Sequence, residues 1–180
     1  SFGYIPSPQS AFAGVVKLPA GHYGILSDRE WRISRYWKPD YSASCTDSAE
    51  AAGEKIAGLV ENAVQQELMS DVPLGIFLSG GLDSSAVAMF AARHSRQKIK
   101  SFALKFEEET HDESADAQMV ADHLGLDHTE VSCSRDIMKQ LLRETASLLD
   151  EPFGDATVLP LLLLSRAARE QVKVVLTGWG

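Results

Sequence analysis

Apolar residues along the chain change period several times, and each change predicts an element. Leu74, Ile76, Phe77 and Leu78 form a short apolar run, the pattern of a strand buried on both faces of a parallel sheet. From Ser84 on, Ala86, Val87, Phe90 and Ala91 recur at helical spacing, so strand gives way to helix within about five residues. Before that strand, Ile56, Leu59, Val60, Ala63, Val64 and Leu68 repeat at three and four, which predicts a helix of about six turns. Asp47 and Glu50 offer it a capping-box-like start, and Ser70, Asp71 and Pro73 end it. Ile99–Phe106 and His128–Cys133 read as further strands, and Val172–Leu176 as the last. Ser134 caps a helix through Ile137, Met138, Leu141, Leu142, Thr145, Leu148 and Leu149, and Val158–Arg169 forms another. Upstream, His22–Ser27 and Trp31–Trp37 flank a polar Asp28, Arg29, Glu30 turn and predict a hairpin whose tryptophans cover the edge of a core, with His22 structural.

Short apolar strands alternating with helices predict an α/β fold: a parallel twisted sheet with helices on both faces, preceded by a short linker and a β-hairpin. Residues 1–20, rich in Pro, Gly, Ser and Ala, form the connector, so residues 1–45 read as linker and hairpin and 46–180 as the folded domain. In open α/β sheets ligands bind outside the carboxyl ends of the strands, where Ser79–Ser85 falls. Gly80 and Gly81 let backbone approach a ligand closely, and successive N–H groups leading into a helix make a donor surface at the positive end of its dipole. Ser79, Ser84 and Ser85 add hydroxyls. Asp83 would repel a phosphate unless a divalent cation lay between them, so the set points to Mg²⁺ with a polyphosphate.

Composition narrows the picture. The 180 residues are 44% hydrophobic and 23% charged, ordinary for a globular protein, and the net charge of −8 argues against general nucleic-acid binding. Cys45 and Cys133 form no paired motif, which fits a reduced, cytoplasmic setting. No stretch approaches the roughly 18 apolar residues of a membrane span. The chain opens without methionine and closes at Gly180 just past a strand, so a longer parent is expected. The acidic run Glu107–Glu113 reads as a solvated turn, with Asp112 and Glu113 as helix-start residues.

The string SGGLDSS, Ser79 to Ser85, resembles the pyrophosphate loop of the PP-loop ATP pyrophosphatases, whose fold is adenine nucleotide alpha hydrolase-like; it lacks the lysine of a Walker loop. GYIPSP and FAGVVKLPAGHY, within Gly3–Tyr23, are similar to the segment joining the glutaminase and synthetase halves of glutamine-dependent asparagine synthetases. DESADAQMVADHLGLDHTEV (Asp112–Val131) and DEPFGDATVLPLLLLSRAAR (Asp150–Arg169) resemble further stretches of that family, the second bordering its acyl-acceptor pocket.

The resemblance implies that Ser79, Gly80, Gly81, Ser84 and Ser85 hold pyrophosphate. It implies that Asp83 is catalytic and orients Mg²⁺, directly or through water, that Leu78 and Leu104 flank adenine, and that Thr177 and Gly178 lie along AMP. Glu151 and Asp155 are candidates to face the substrate. The implied reaction joins ATP and a carboxylate, aspartate in the parent family, to an acyl-adenylate that ammonia resolves. The implied partners are a glutaminase domain supplying nitrogen from glutamine and a second copy in a homodimer, with no nucleic acid and no membrane. The chain departs from the family at Trp179, where an acidic residue usually stands. That departure leaves open a cyclase or amidotransferase acting on a β-lactam, lasso-peptide or glycan precursor, or a nucleotide-binding domain with a decayed site.

Overall fold

A computed structural model of the chain describes residues 2–42, 44–107 and 112–179. The chain forms two compact units, Ser1–Thr46 with Ala146–Ala156, and Asp47–Thr145 with Thr157–Gly180.

In the first unit, β1 (His22–Ser27) and β2 (Glu30–Arg35) pair antiparallel with Ser27 opposite Glu30. The turn is therefore Asp28–Arg29 alone, both at positive φ (47° and 70°), the backbone that matches strand twist in a two-residue hairpin. Sequence spacing assigns Glu30 to the turn; pairing draws it into β2. His22 is structural, its Nδ1 lying 2.8 Å from the Ala20 carbonyl. Trp31 lies across the pair over Gly24, where a Cβ would meet the indole at 2.5 Å. Trp31 and Trp37 nevertheless stay mostly exposed, against the expectation that they cover a core, because a two-stranded ribbon offers too little area to bury an indole.

The second unit holds α1 (Ala49–Glu67), β3 (Leu74–Phe77), α2 (Leu82–His94), β4 (Lys100–Phe106), α3 (Ser114–Leu124), β5 (Asp127–Cys133), most of α4 (Arg135–Leu148), α5 (Val158–Arg169) and β6 (Val174–Leu176). The strands run in the order β5-β4-β3-β6, all parallel. Alternating side chains feed two cores. Ile76, Leu78 and Ala103 pack with Val64 of α1, Ala88, Phe90 and Ala91 of α2, and Ala117 and Ala121 of α3. Phe102 packs on the other face with Leu164 and Ala168 of α5 and with Val172. The alanines let helices approach the sheet closely. Fully buried Ile76 and Phe102 each stabilise the unit by about 1.5–3 kcal/mol. Gly75 makes room for the Phe102 ring, which a Cβ there would meet at 2.9 Å.

Element starts differ from expectation where local hydrogen bonds compete. The cap of α1 is Ser48, whose Oγ accepts the Ala51 N–H at 3.2 Å, while Asp47 pairs with Lys55. Helix α2 begins at Leu82, ahead of Ser84. Strand β6 is shorter than the apolar run suggests, because the Val172 N–H is bonded to the Ala168 carbonyl (2.8 Å) and the Lys173 N–H to that of Pro73 (2.9 Å). Ser134 caps α4 as expected, accepting the Ile137 N–H at 3.3 Å. With β4 and β5 on one side of β3 and β6 on the other, the sheet order reverses between β3 and β6, and the crevice of a doubly wound sheet opens there.

Candidate functional site

The loop after β3 is tied by its own hydroxyls. Leu78 continues the strand pairing, its N–H bonded to the Phe102 carbonyl at 2.9 Å. Ser79 and Ser84 Oγ lie 3.0 Å apart, the Ser79 N–H donates to Ser84 Oγ (3.2 Å), and the Gly81 N–H donates to Ser79 Oγ (3.3 Å). Those two amides are thereby occupied. Gly81 is the N-cap of α2 and offers no side chain, and the first helical bond runs from the Ser85 N–H to the Gly81 carbonyl (3.0 Å). The N–H groups of Leu82, Asp83 and Ser84 precede the helical ladder. The donor surface is thus narrower than the full stretch 79–85. Asp83 stands exposed in the first turn, where its charge suits the helix dipole, and the buried Ser85 Oγ has no hydrogen-bond partner.

Glycines bring three elements together here. Gly80 (φ 78°) passes so close to the start of α3 that a Cβ would lie 2.6 Å from Asp116 Cβ and 2.8 Å from the Ala117 nitrogen. Gly178, just past β6, lies against the start of α2, where a Cβ would come 2.6 Å from the Ser84 nitrogen.

A cleft of about 380 Å³ opens at these carboxyl ends. Its walls are Phe77 of β3 with Leu78 and Ser79 after it, Ala103, Leu104 and Phe106 of β4, Thr157 at the start of α5 with Pro160, Leu161 and Leu164 within it, and Thr177, Gly178 and Trp179 after β6. Glu113 is the ionisable residue among them. Such a volume, largely apolar with a few polar groups at one end, suits a flat heterocycle joined to a polar tail. Of the residues singled out in the sequence, Leu78, Ser79, Leu104, Thr177 and Gly178 line this cleft. Gly81, Asp83, Ser84 and Ser85 form the adjoining helix start, which Gly178 touches. Pro160, Leu161 and Leu164 lie in the stretch Asp150–Arg169, whose likeness points to the acyl-acceptor pocket, but the likeness does not single them out as site residues. Their signal is the run LPLLLL, apolar beyond what one helix face can bury in a core.

Glu151 and Asp155 belong to the other unit. There Glu151 forms an ion pair with Lys17, whose Nζ also donates to the Ile5 carbonyl (2.7 Å), and Asp155 lies exposed. Of the acidic run, residues 108–111 lie outside the described residues. Asp112 anchors the start of α3, accepting the Ser114 N–H (3.2 Å), Ser114 Oγ (3.0 Å) and the Phe106 N–H (3.3 Å). Burial would raise its carboxyl, but these bonds and the Lys105 charge bring it below the ordinary carboxylate value.

Among the described residues no cluster of three or more His, Cys, Asp or Glu side chains could hold a metal. A magnesium ion carried on a polyphosphate needs only one or two protein carboxylates, and Asp83 at the helix start meets that need. Among the described residues no helix is long and apolar enough to cross a membrane.

Residues 55–180 match the sequence model of a family described as asparagine synthase. The chain is 35% identical, over 98% of its length and 28% of the relative's, to an inferred glutamine-hydrolysing asparagine synthetase of Mycobacterium tuberculosis. It is 35% identical, over its whole length and 35% of the relative's, to an inferred counterpart in Methanocaldococcus jannaschii. The chain thus spans about a third or less of the length of these relatives. The structure of NMN synthetase from Francisella tularensis aligns with a TM-score of 0.48 at 19% identity, over 68% of this chain and 52% of that one.

Proposed function

This chain belongs to the asparagine synthase family, and from that premise we propose that it carries the ATP-using, amide-forming step of a carbon–nitrogen ligase. The observation that carries the reading is the meeting of an apolar cleft with an uncapped helix start at the point where the sheet order reverses. Adenine lies between Leu78 and Leu104, and Thr177 and Gly178 follow the AMP part. The N–H groups of residues 82–84 receive the β and γ phosphates, with Ser79, Gly80, Gly81, Ser84 and Ser85 completing the cradle.

Asp83 would hold Mg²⁺, directly or through water; the ion would supply charge neutralisation on the phosphates. A substrate carboxylate oxygen attacks the α phosphorus while the bond to the β-phosphate oxygen breaks, giving an acyl-adenylate and pyrophosphate. Ammonia then attacks the acyl carbon, AMP leaves, and a proton is lost. The chain contributes position and fixed dipoles, with no covalent nucleophile. Aspartate is the proposed acceptor. Glutamine-derived ammonia from a glutaminase domain, a cytoplasmic setting and a homodimer complete the proposal.

Calorimetry of ATP binding to this chain tests it. Binding should require Mg²⁺, and Asp83→Ala should weaken it by about tenfold or more. ATP heats that are absent, or the same in wild type and Asp83→Ala, would sink the reading.

Trp179 favours a second reading of the acceptor. It lines the cleft where the family usually has an acid, and an indole donates a hydrogen bond but cannot take a proton. That suits a cyclase or amidotransferase with a less polar acceptor, and pyrophosphate release across a panel of carboxylates separates it from an aspartate enzyme.

A further inference from the structure

Glu113 is the one ionisable residue in a largely apolar cleft wall, and the fold leaves its carboxylate without a task. It is the N-cap of α3, yet its side chain makes no cap bond. Asp112 anchors that helix instead, accepting the Ser114 N–H and Oγ and reaching back to the Phe106 N–H. Among the described residues the Glu113 carboxylate has neither a hydrogen bond nor an ion pair. Two other polar residues of the wall are engaged: Ser79 Oγ lies 3.0 Å from Ser84 Oγ, and Thr177 Oγ1 accepts the Trp179 N–H at 3.4 Å. A carboxylate can only accept, so whatever meets Glu113 must bring O–H or N–H donors or a cation.

Position within the unit selects among these. The Glu113 carbonyl accepts the Ala117 N–H (3.0 Å), and a Cβ on Gly80 would lie 2.8 Å from that same nitrogen, so the first turn of α3 lies against the two-glycine loop. Through Asp112 the start of α3 is also tied to Phe106, which stands about 6–7 Å farther along β4 than Leu104. Glu113 is therefore outward of Leu78 and Leu104, where the base is proposed to lie, and beside the loop that leads to the start of α2. Between the base and the phosphates of a nucleotide comes the ribose. Its neighbouring 2′- and 3′-hydroxyls are two donors that the two oxygens of one carboxylate can accept together. A cation bound by protein alone fits less well, since among the described residues no three His, Cys, Asp or Glu side chains gather to hold one.

We infer that Glu113 is a specificity-determining residue: its carboxylate accepts the ribose hydroxyls of the bound nucleotide and so selects ribonucleotides over deoxyribonucleotides. That the nucleotide is ATP rests on the function proposed above.

Calorimetry on this chain with Mg²⁺ compares ATP with 2′-deoxy-ATP and 3′-deoxy-ATP. Wild type should bind each deoxynucleotide about tenfold more weakly than ATP, the scale of one hydrogen bond to a charged group. Glu113→Ala should weaken ATP about tenfold and bring the three nucleotides within about twofold of one another. Glu113→Gln, which keeps the size and one acceptor oxygen, should fall between, and urea midpoints check that both variants fold. The sign matters, because a carboxylate that met only phosphate charge would repel it, and its removal would tighten ATP. Asp116→Asn removes an exposed charge from the same helix and should leave the ribose preference at its wild-type value. Equal binding of the three nucleotides by wild type, an undiminished preference or tighter ATP in Glu113→Ala, or a preference lost equally in Asp116→Asn, overturns the inference. Adenosine and 2′-deoxyadenosine separate it from the proposed function. If wild type prefers adenosine but does not bind ATP, the proposed function fails and the role of Glu113 stands; if it binds ATP with no ribose preference, the role of Glu113 fails alone.

Discussion

Gly178 illustrates how one residue can carry geometry that its neighbours in sequence do not announce. It lies after the last strand, yet what it touches is the first turn of α2, nearly a hundred positions earlier, where backbone meets backbone. A methyl group there would come 2.6 Å from the Ser84 nitrogen and 2.9 Å from the Asp83 carbonyl carbon, neither of which can swing aside as a side chain could. Gly178→Ala should therefore cost about 1–3 kcal/mol, read as a lower urea midpoint, and should abolish ATP binding by calorimetry. Unaltered values for both would show that the two elements separate easily. Gly80 is constrained twice, by positive φ and by its approach to α3, and the two-glycine string makes that legible in the sequence. Nothing in the string Thr177–Trp179 makes Gly178 equally legible.

Strands β4 and β5 show the same division for an element pair. Their apolar runs predict both, and register then sets Ser101 opposite His128, with Oγ 2.8 Å from Nδ1. His128 Nε2 is buried without a partner. Burial holds this imidazole below its ordinary pKa of 6.5, the charges of Glu130 and Asp122 opposing. The folded state therefore resists protonation more than the unfolded chain does. As pH falls from about 6.5 through the folded value, the unfolded chain binds the proton first and stability is lost, at no more than about 1.4 kcal/mol per pH unit. Urea midpoints measured from pH 7.5 to 5 should fall, and His128→Gln should remove that part of the slope; identical slopes in the two proteins would exclude His128 as the cause. Periodicity reveals the strand, but only pairing tells which polar side chain faces His128.

Across the larger unit, the parallel sheet buries Cys133 at the end of β5 while Cys45 lies exposed in the other unit. Burial, with Glu107 nearby, also pushes the Cys133 thiol up, which leaves less of the reactive thiolate. A thiol reagent should label Cys133 roughly a hundredfold or more slowly than Cys45, and urea should raise the slower rate as the sheet opens. Comparable rates without urea would mean that the β5 edge opens locally.

Alternating periods along the chain, the hairpin and the two-glycine loop with its serines and Asp83 were readable residue by residue, because strands, helices and tight turns are dictated by contacts a few positions apart. So was the α/β class, since buried strands alternating with helices have few other ways to cover their faces. The exposed hairpin tryptophans, the Ser48 cap, the shortened β6, the hold of Lys17 on Glu151 and the seat of Gly178 on α2 were decided only in the folded chain. Each depends on which distant backbone or side chain arrives alongside, and no local period encodes that arrival.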